Sequence, residues 1–418
     1  MKFNSHQLDN GLEIVAECNP SAYSIGLGVF VRTGSRDETA EVSGVSHFLE
    51  HMVFKGTPRR SADDVNREFD EIGAHYNAFT SEESTVYYAA ALPEYQKACI
   101  DLLTDIMRPS LREEDFSMEK KVILEEIQMY ADQPPFGMDD RLKELHYGDH
   151  PLAYSVLGTL QSVGDLEVEK MHHYFQSRYS PSNLFVAAAG CVDFDDLVAQ
   201  VSSCCGHWEA KSVDRLLAPA RSKVSQATAF PTPVHCVHRP TATQQYLLQL
   251  ADAPSSEDDN RYAAKLFATM LGDDSGSRIY WELVDPGRVE SASLGHYEYL
   301  AAGMYYTWVG CDPEMAADNF AQLTQLQQQA EATGFTQEEL IQAKNKVKAR
   351  VVLGSERPRN RLFNVGGNWM QRHEYRTVRD DLAAIDAVSL DDIHAVLAQY
   401  PLTNCTTLTI GPLEDLGT

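Results

Sequence analysis

Residues 43–56 read Ser-Gly-Val-Ser-His-Phe-Leu-Glu-His-Met-Val-Phe-Lys-Gly, centred on His47, Glu50 and His51. At about 100° per residue, an α-helix places His47 and His51 one turn apart on one face, with Glu50 beside them. Two neutral imidazoles so spaced can bind one Zn²⁺, and the flanking carboxylate can take a proton from water at the ion. The pattern is the His-Glu-x-x-His zinc motif run backwards. A catalytic zinc takes three protein ligands and keeps a fourth position for water, so a third ligand must come from elsewhere. Were the two histidines ordinary helix residues, no such third group would be needed.

The segment 115–130 supplies the candidates Glu119, Glu125 and Glu126. On a helical wheel Phe116, Val122, Ile123, Ile127 and Tyr130 form one stripe, and Glu119 and Glu126 fall inside it. Glu125 falls outside, with Lys121 and Gln128. Two carboxylates on a buried face are costly unless a cation or hydrogen bonds compensate them. That cost favours Glu126 or Glu119 over Glu125 as the third ligand. The competing source of compensation is an arginine, Arg141 or Arg178.

These groups need elements to hold them. Phe48, Leu49, Met52 and Val53 make the rest of the histidine helix apolar, so it belongs inside the protein. Ser43 is placed to cap its start, and Gly56 to end it ahead of Pro58. Strands are expected at 12–16 and 24–33 before this helix, and a short amphipathic helix at 62–72 after it. A polar extended segment at 74–81 and a β-rich run at 84–91 follow, then helices at 93–107 and 113–131. Pro134 and Pro135 break the last of these.

Two stretches repeat. Tyr179-Ser180-Pro181-Ser182-Asn183 is followed seven residues after its Asn by Gly190, and Tyr400-Pro401-Leu402-Thr403-Asn404 likewise by Gly411. Each follows a helix opening on a Ser/Asp cluster, and the copies lie 221 residues apart. The repeat implies an α+β domain duplicated, giving two homologous domains at 1–215 and 230–418 around a linker with Pro219, Pro231 and Pro233. A chain of 418 residues exceeds one ordinary core, in agreement with that division. At the same offset the counterpart of His47 is Ala268, in a helical stretch without histidine. Only the first half is expected to hold metal.

The formal charge of −26 argues against a nucleic-acid partner, since phosphates would be repelled, and favours basic over acidic peptides. The N-terminus has no apolar signal-peptide core, and no run approaches the roughly 18 apolar residues of a membrane span. The eight cysteines are scattered, as suits reduced thiols. A cytoplasmic protein with no membrane partner is expected.

His47-Phe48-Leu49-Glu50-His51, followed after 74 residues by Glu126, resembles the pitrilysin, insulysin and mitochondrial processing peptidase family of zinc peptidases, the inverzincins. The likeness extends over 47–57, over 77–85 (NAFTSEEST), over the Glu119–Glu126 spacing and over 179–190. Its length is that of the short bacterial type. The resemblance implies two domains, each a mostly antiparallel sheet with helices packed on one face. It implies Zn²⁺ held by His47, His51 and Glu126, with Glu50 as the base and Glu119 orienting the site from behind. Asn77, Ala78, Phe79 and Thr80 would present an edge strand on which a peptide lies extended. The implied activity is a zinc metallo-endopeptidase working as a homodimer or a heterodimer with a homologous subunit. One feature departs from the family. An Arg and a Tyr that hold the substrate carbonyl and oxyanion align with Val284 and Ser291. Arg288, His296, Tyr297 or Tyr299 are substitutes within the chain, and a related subunit is a substitute outside it. The alternative is a weak or inactive member that binds peptides or a partner.

Overall fold

The computed structural model of the protein describes residues 1–132, 135, 137–215 and 234–416. In the first half the strands are β1 (Lys2–Gln7), β2 (Glu13–Cys18), β3 (Ile25–Val31), β4 (His75–Thr80), β5 (Thr85–Ala91) and β6 (Leu184–Gly190). Its helices are α1 (Val45–Val53), α2 (Ala62–Glu71), α3 (Gln96–Ile106), α4 (Glu113–Asp132), α5 (Met138–Tyr147), α6 (Leu160–Asp165), α7 (Val168–Arg178) and α8 (Phe194–Cys205). The second half has β7 (Val234–His238), β8 (Gln245–Asp252), β9 (Ser291–Tyr299), β10 (Ala302–Cys311) and β11 (Cys405–Gly411). Its helices are α9 (Arg261–Gly272), α10 (Ala316–Thr333), α11 (Gln337–Ser355), α12 (Pro358–Arg372), α13 (Val378–Ala387) and α14 (Leu390–Gln399). Elements expected at 12–16, 24–33, 62–72, 74–81, 84–91, 93–107 and 113–131 are therefore present, with ends shifted by a few residues. Pro134 and the proline-bearing linker lie outside the described residues.

The chain forms two compact units, and they interleave along the sequence. One comprises Met1–Met129, Tyr154–Leu216 and Leu353–Arg376; the other comprises Tyr130–Ala153, Leu217–Val352 and Thr377–Thr418. The first unit holds a six-stranded sheet in the order β1-β2-β6-β3-β5-β4, antiparallel except for the β2–β6 pair. β3 and β6 are buried along their whole length, which explains their continuous apolar sequences. One face packs on α1, α3 and α8 through Leu27, Val29, Phe48, Leu103 and Leu197. The opposite face is covered as well, by α12. Its Leu362, Val365 and Trp369 meet Val15, Phe30, Val86 and Phe185. A buried ion pair fixes that helix: Arg361 Nε donates to Glu17 Oε1 at 2.9 Å, and Tyr375 donates to Glu17 Oε2 at 2.6 Å. With its oxygens so engaged, the Glu17 charge is tolerable in the interior.

The second unit repeats the plan with a five-stranded sheet ordered β7-β11-β8-β10-β9, and its one parallel pair, β7–β11, corresponds to β2–β6. An offset of 221 residues carries β6 onto β11, and α5 onto the start of α12. The duplication inferred from two short signatures thus extends through the topology. It also explains the interleaving. The helix at this position in each linear half covers the sheet of the other: α5 lays Leu142 and Tyr147 on Leu248, Leu250, Leu408 and Ile410. His146 of α5 is fully buried between Thr406 Oγ1 (3.0 Å) and Asp252 Oδ1 (3.2 Å). Among the described residues no helix is long and apolar enough to cross a membrane.

Candidate active site

The site is built on the start of α1. Its N-cap is Gly44, not Ser43, at φ +92°, where a side chain would be strained. A Cβ there would also stand 2.6 Å from the Leu157 carbonyl oxygen. Without a capping side chain on the helix itself, the free amides are taken by Glu38. One carboxylate oxygen accepts from Gly44 N–H and the other from Ser46 N–H, both at 2.7 Å. Burial raises the Glu38 pKa from 4.5 to about 7, against the lowering effect of the two amides. Tyr174 Oη reaches Ser46 Oγ at 2.8 Å and Thr33 Oγ1 at 3.0 Å, closing this corner.

Phe48 of α1 then stacks on Phe116 of α4, with ring centroids 4.7 Å apart and planes 8° from parallel. That contact sets the register of the two helices, and it turns Glu119 and Glu126 towards the histidines. Glu126 Oε2 lies 3.9 Å from Nε2 of both His47 and His51. A tetrahedral zinc about 2 Å from each donor would separate them by about 3.3 Å, so little closure is required. These three residues form the one group of His, Cys, Asp or Glu found among the described residues that can hold a metal ion. On the far side of its ring, His51 Nδ1 meets Glu119 Oε1 at 2.8 Å, leaving Nε2 for the ion. Lys55 Nζ holds the other Glu119 oxygen at 2.5 Å.

The electrostatics fit a cation. His47 is 8% exposed, and Nδ1 has no hydrogen-bond partner, while Nε2 faces only the distant Glu126 oxygen. Burial, and secondarily His51, lowers its pKa to about 4, so it stays neutral as a ligand must. Burial alone would lower His51 too, but the hydrogen bond and charge of Glu119, with Glu126 and Glu50, raise it. Glu119 is itself lowered: its burial is outweighed by the bonds to His51 and Lys55. Burial raises Glu50 above the usual carboxylate range, although Thr80 Oγ1 donates to its Oε2 at 2.5 Å.

The sequence-derived candidates therefore converge, with corrections. Glu125 is exposed, as its place on the wheel requires, but Val122 is exposed too and does not belong to the buried stripe. The buried face centres on Phe116 and Ile123, and Val122 points 100° away from the latter. Arg141 and Arg178 do not compensate the glutamates; they pair with Glu144 and with Asp37. Sequence reasoning did not find Glu38 or Lys55. Lys55 lies four residues after His51, in the turn just past the end of α1, a usable signal, whereas nothing local marks Glu38. β4 is the edge of its sheet. Thr80 turns its side chain to Glu50, Ala78 is buried, and Phe79 and Asn77 are exposed. Asn77 Oδ1 accepts from Ala78 N–H at 2.8 Å, a bond that an added strand would have to replace.

In the second unit the counterparts of Glu50, His51 and Glu126 are Leu271, Gly272 and Val347, all buried and apolar. Val284 ends a π-helical turn and Ser291 opens β9, so neither supplies a charged or phenolic donor. Arg288 Nε is engaged by Asn319 Oδ1 at 3.2 Å and His296 Nε2 by the Pro254 carbonyl at 2.8 Å. Tyr299 is buried, while Tyr297 is half exposed.

Comparison with known proteins finds two family models along the chain. The profile of Insulinase (Peptidase family M16) matches residues 13–160, and that of the Peptidase M16 inactive domain matches 165–347. YmxG of Bacillus subtilis, named an uncharacterized zinc protease, is 31% identical over 97% of this chain and 98% of its own. A probable mitochondrial-processing peptidase subunit beta of Arabidopsis thaliana is 27% identical over 98% of this chain and 78% of its own. The crystal structure of a protease from Helicobacter pylori superposes with a TM-score of 0.90 at 21% identity, covering 98% of this chain and all of the other.

Two predictions follow from the geometry. In equilibrium dialysis against Zn²⁺, Glu126→Gln should lose the ion and Glu119→Gln should weaken binding about 10–100-fold. Glu125→Gln should bind like the parent; if it is the one that loses zinc, the ligand set is wrong. The second concerns Glu38. Its folded pKa lies above the unfolded value of 4.5, so its stabilising contribution is complete below pH 4.5 and is lost as pH rises through about 7. The shift corresponds to about 3 kcal/mol. Urea midpoints of parent and Glu38→Gln should diverge across this window, the parent losing ground as pH rises. Parallel curves would show that Glu38 does not titrate there.

Proposed function

The chain belongs to peptidase family M16, whose members use zinc, and from that premise we propose that it is an endopeptidase acting on extended peptides or unfolded segments. The chemistry resides in the 1–215 half. One observation carries the reading: the 2.5 Å hydrogen bond from Thr80, on the sheet-edge strand β4, to Glu50 beside the paired histidines. It joins a surface that can accept a peptide strand to a group that can accept a proton.

His47, His51 and Glu126 would hold the zinc, and Glu119 would fix the His51 ring so that Nε2 faces it. When bound, zinc supplies Lewis-acid chemistry, making water more acidic and polarising a carbonyl. A peptide pairing with β4 is held by main-chain hydrogen bonds, so backbone is read more than side chains. Glu50 takes the proton of the attacking water and delivers it to the leaving amine. Its raised pKa suits both roles.

A second reading concerns completeness. Val284 and Ser291 supply no donors for the oxyanion, and the Arabidopsis relative is named as a subunit. We therefore propose that the chain works with a homologous partner, as a homodimer drawing on Tyr297 or a heterodimer whose partner brings an Arg and a Tyr at these positions. Without either, it would bind peptides and turn them over slowly.

Glu50→Gln should keep its zinc and still bind a quenched peptide, while turnover falls by about 10² or more. Cleavage at the parental rate by that variant would remove Glu50 as the base, and cleavage unaffected by chelator would remove the metal. For the partner, adding a homologue that carries the Arg and Tyr should raise the rate about 10²–10³-fold. An isolated chain that is already fast, and is crippled by Tyr297→Phe, would exclude the heterodimer.

A further inference from the structure

We propose that the cavity at the His75 end of β4 is a distal substrate subsite that takes a carboxylate of the bound peptide. The proposal rests on β4 being the substrate edge. The cavity has a volume of about 520 Å³, and its lining includes His75 and Ala90, paired across β4 and β5, with Tyr23, Arg357, Arg359 and Arg361. Arg361 is committed to Glu17. The guanidinium groups of Arg357 and Arg359 have no ion-pair or hydrogen-bond partner among the described residues, and neither has the His75 ring. Glu356, an exposed carboxylate on the rim, offsets at most one of the two charges. In a chain of net charge −26, two unpaired arginines in one cavity are an exception to the general field. Screening over about 8–10 Å lets this local charge prevail over the distant carboxylates.

The position matches an extended peptide. Thr80 contacts Glu50, and His75 lies five residues back along the strand, about 17 Å at the usual strand rise. His75, Asn77 and Phe79 point to one face of the sheet by alternation. On that face Phe79 meets Phe363 of α12, with ring centroids 5.7 Å apart. The same helix carries Arg359, with Arg357 at its N-cap. A peptide paired with β4 therefore brings a residue four to six positions from the cleaved bond to the arginines. A carboxylate is the group a guanidinium fork binds best there, with two parallel hydrogen bonds. Either an acidic side chain or a free C-terminus provides one.

The test uses the zinc-loaded full chain and quenched peptides sharing one core, extended by six residues on either side. The distal position carries Glu, Gln or Lys, and in a second set the peptide ends there as a free acid or an amide. The expected result is about tenfold higher kcat/KM for the carboxylate, expressed mainly in KM, because remote contacts bind ground and transition states alike. A gain for Glu identifies the side chain as the source, and a gain for free acid over amide identifies the terminus. Arg357→Glu with Arg359→Glu should invert the Glu-to-Lys ratio, a ratio internal to each protein and so independent of how much of it folds. Equal rates for Glu, Gln and Lys with the core efficiently cut would overturn the subsite while leaving the peptidase intact. So would an unchanged ratio in the charge-reversed variant. No cleavage of any peptide would sink both readings together.

Discussion

The arrangement of the site follows from one electrostatic constraint: Glu50, Glu119 and Glu126 are gathered in a half-buried corner where carboxylates are expensive. Lys55 answers Glu119 directly. The remaining charge faces two imidazoles, one kept neutral by burial and the other drawn towards protonation by its acidic neighbours. A divalent cation held by His47, His51 and Glu126 would relieve much of this. It would take Nε2 of each imidazole and offset the Glu126 charge, and it would relax the pull on His51. The helices are arranged to create that need rather than to avoid it. To bury His47, α1 must start inside the protein, and its first amides then require an acceptor, which is Glu38. To aim Glu126, α4 must keep its register, which the Phe48–Phe116 stack maintains.

The second unit shows the same backbone without the constraint. Its five strands follow the order of β2-β6-β3-β5-β4, with no counterpart of β1 among the described residues, and its α9 occupies the place of α1, yet Leu271, Gly272 and Val347 stand where the first unit has Glu50, His51 and Glu126. Where no cation is held, an apolar side chain is the cheaper occupant of a buried position. At these positions the two units differ in side chains rather than in backbone. What ties the halves into one molecule is the exchange of equivalent helices, α5 over one sheet and α12 over the other, each carrying a buried polar anchor, His146 or Arg361.

Much of the site was legible without coordinates. The His47–His51 spacing, Glu50 beside it, and the preference for Glu126 over Glu125 follow from the 3.6-residue period of a helix. The duplication was visible in two five-residue signatures, and the offset they defined carries one sheet onto the other. The wheel of α4 overreached at Val122, because periodicity gives the direction of a face but not its width. The cap of α1 was misassigned to Ser43, the nearest hydroxyl, because a capping acceptor can equally come from six residues upstream when the loop folds back. The arginines considered as partners for the glutamates proved to be engaged elsewhere, as only the path of the chain could reveal.

The sequence by itself determined what depends on spacing within one element: which side chains share a helix face, where strands alternate, and which half lacks the paired histidines. These are consequences of local geometry, identical wherever the helix or strand is placed. The tertiary structure alone decided which distant groups meet. Glu38 reaches the amides of α1, Thr80 of the edge strand reaches Glu50, and Arg361 reaches Glu17 across 344 positions of sequence. Such pairs leave no periodic trace, because a buried charge selects its partner by proximity in space, and proximity is set by how the sheets and helices pack.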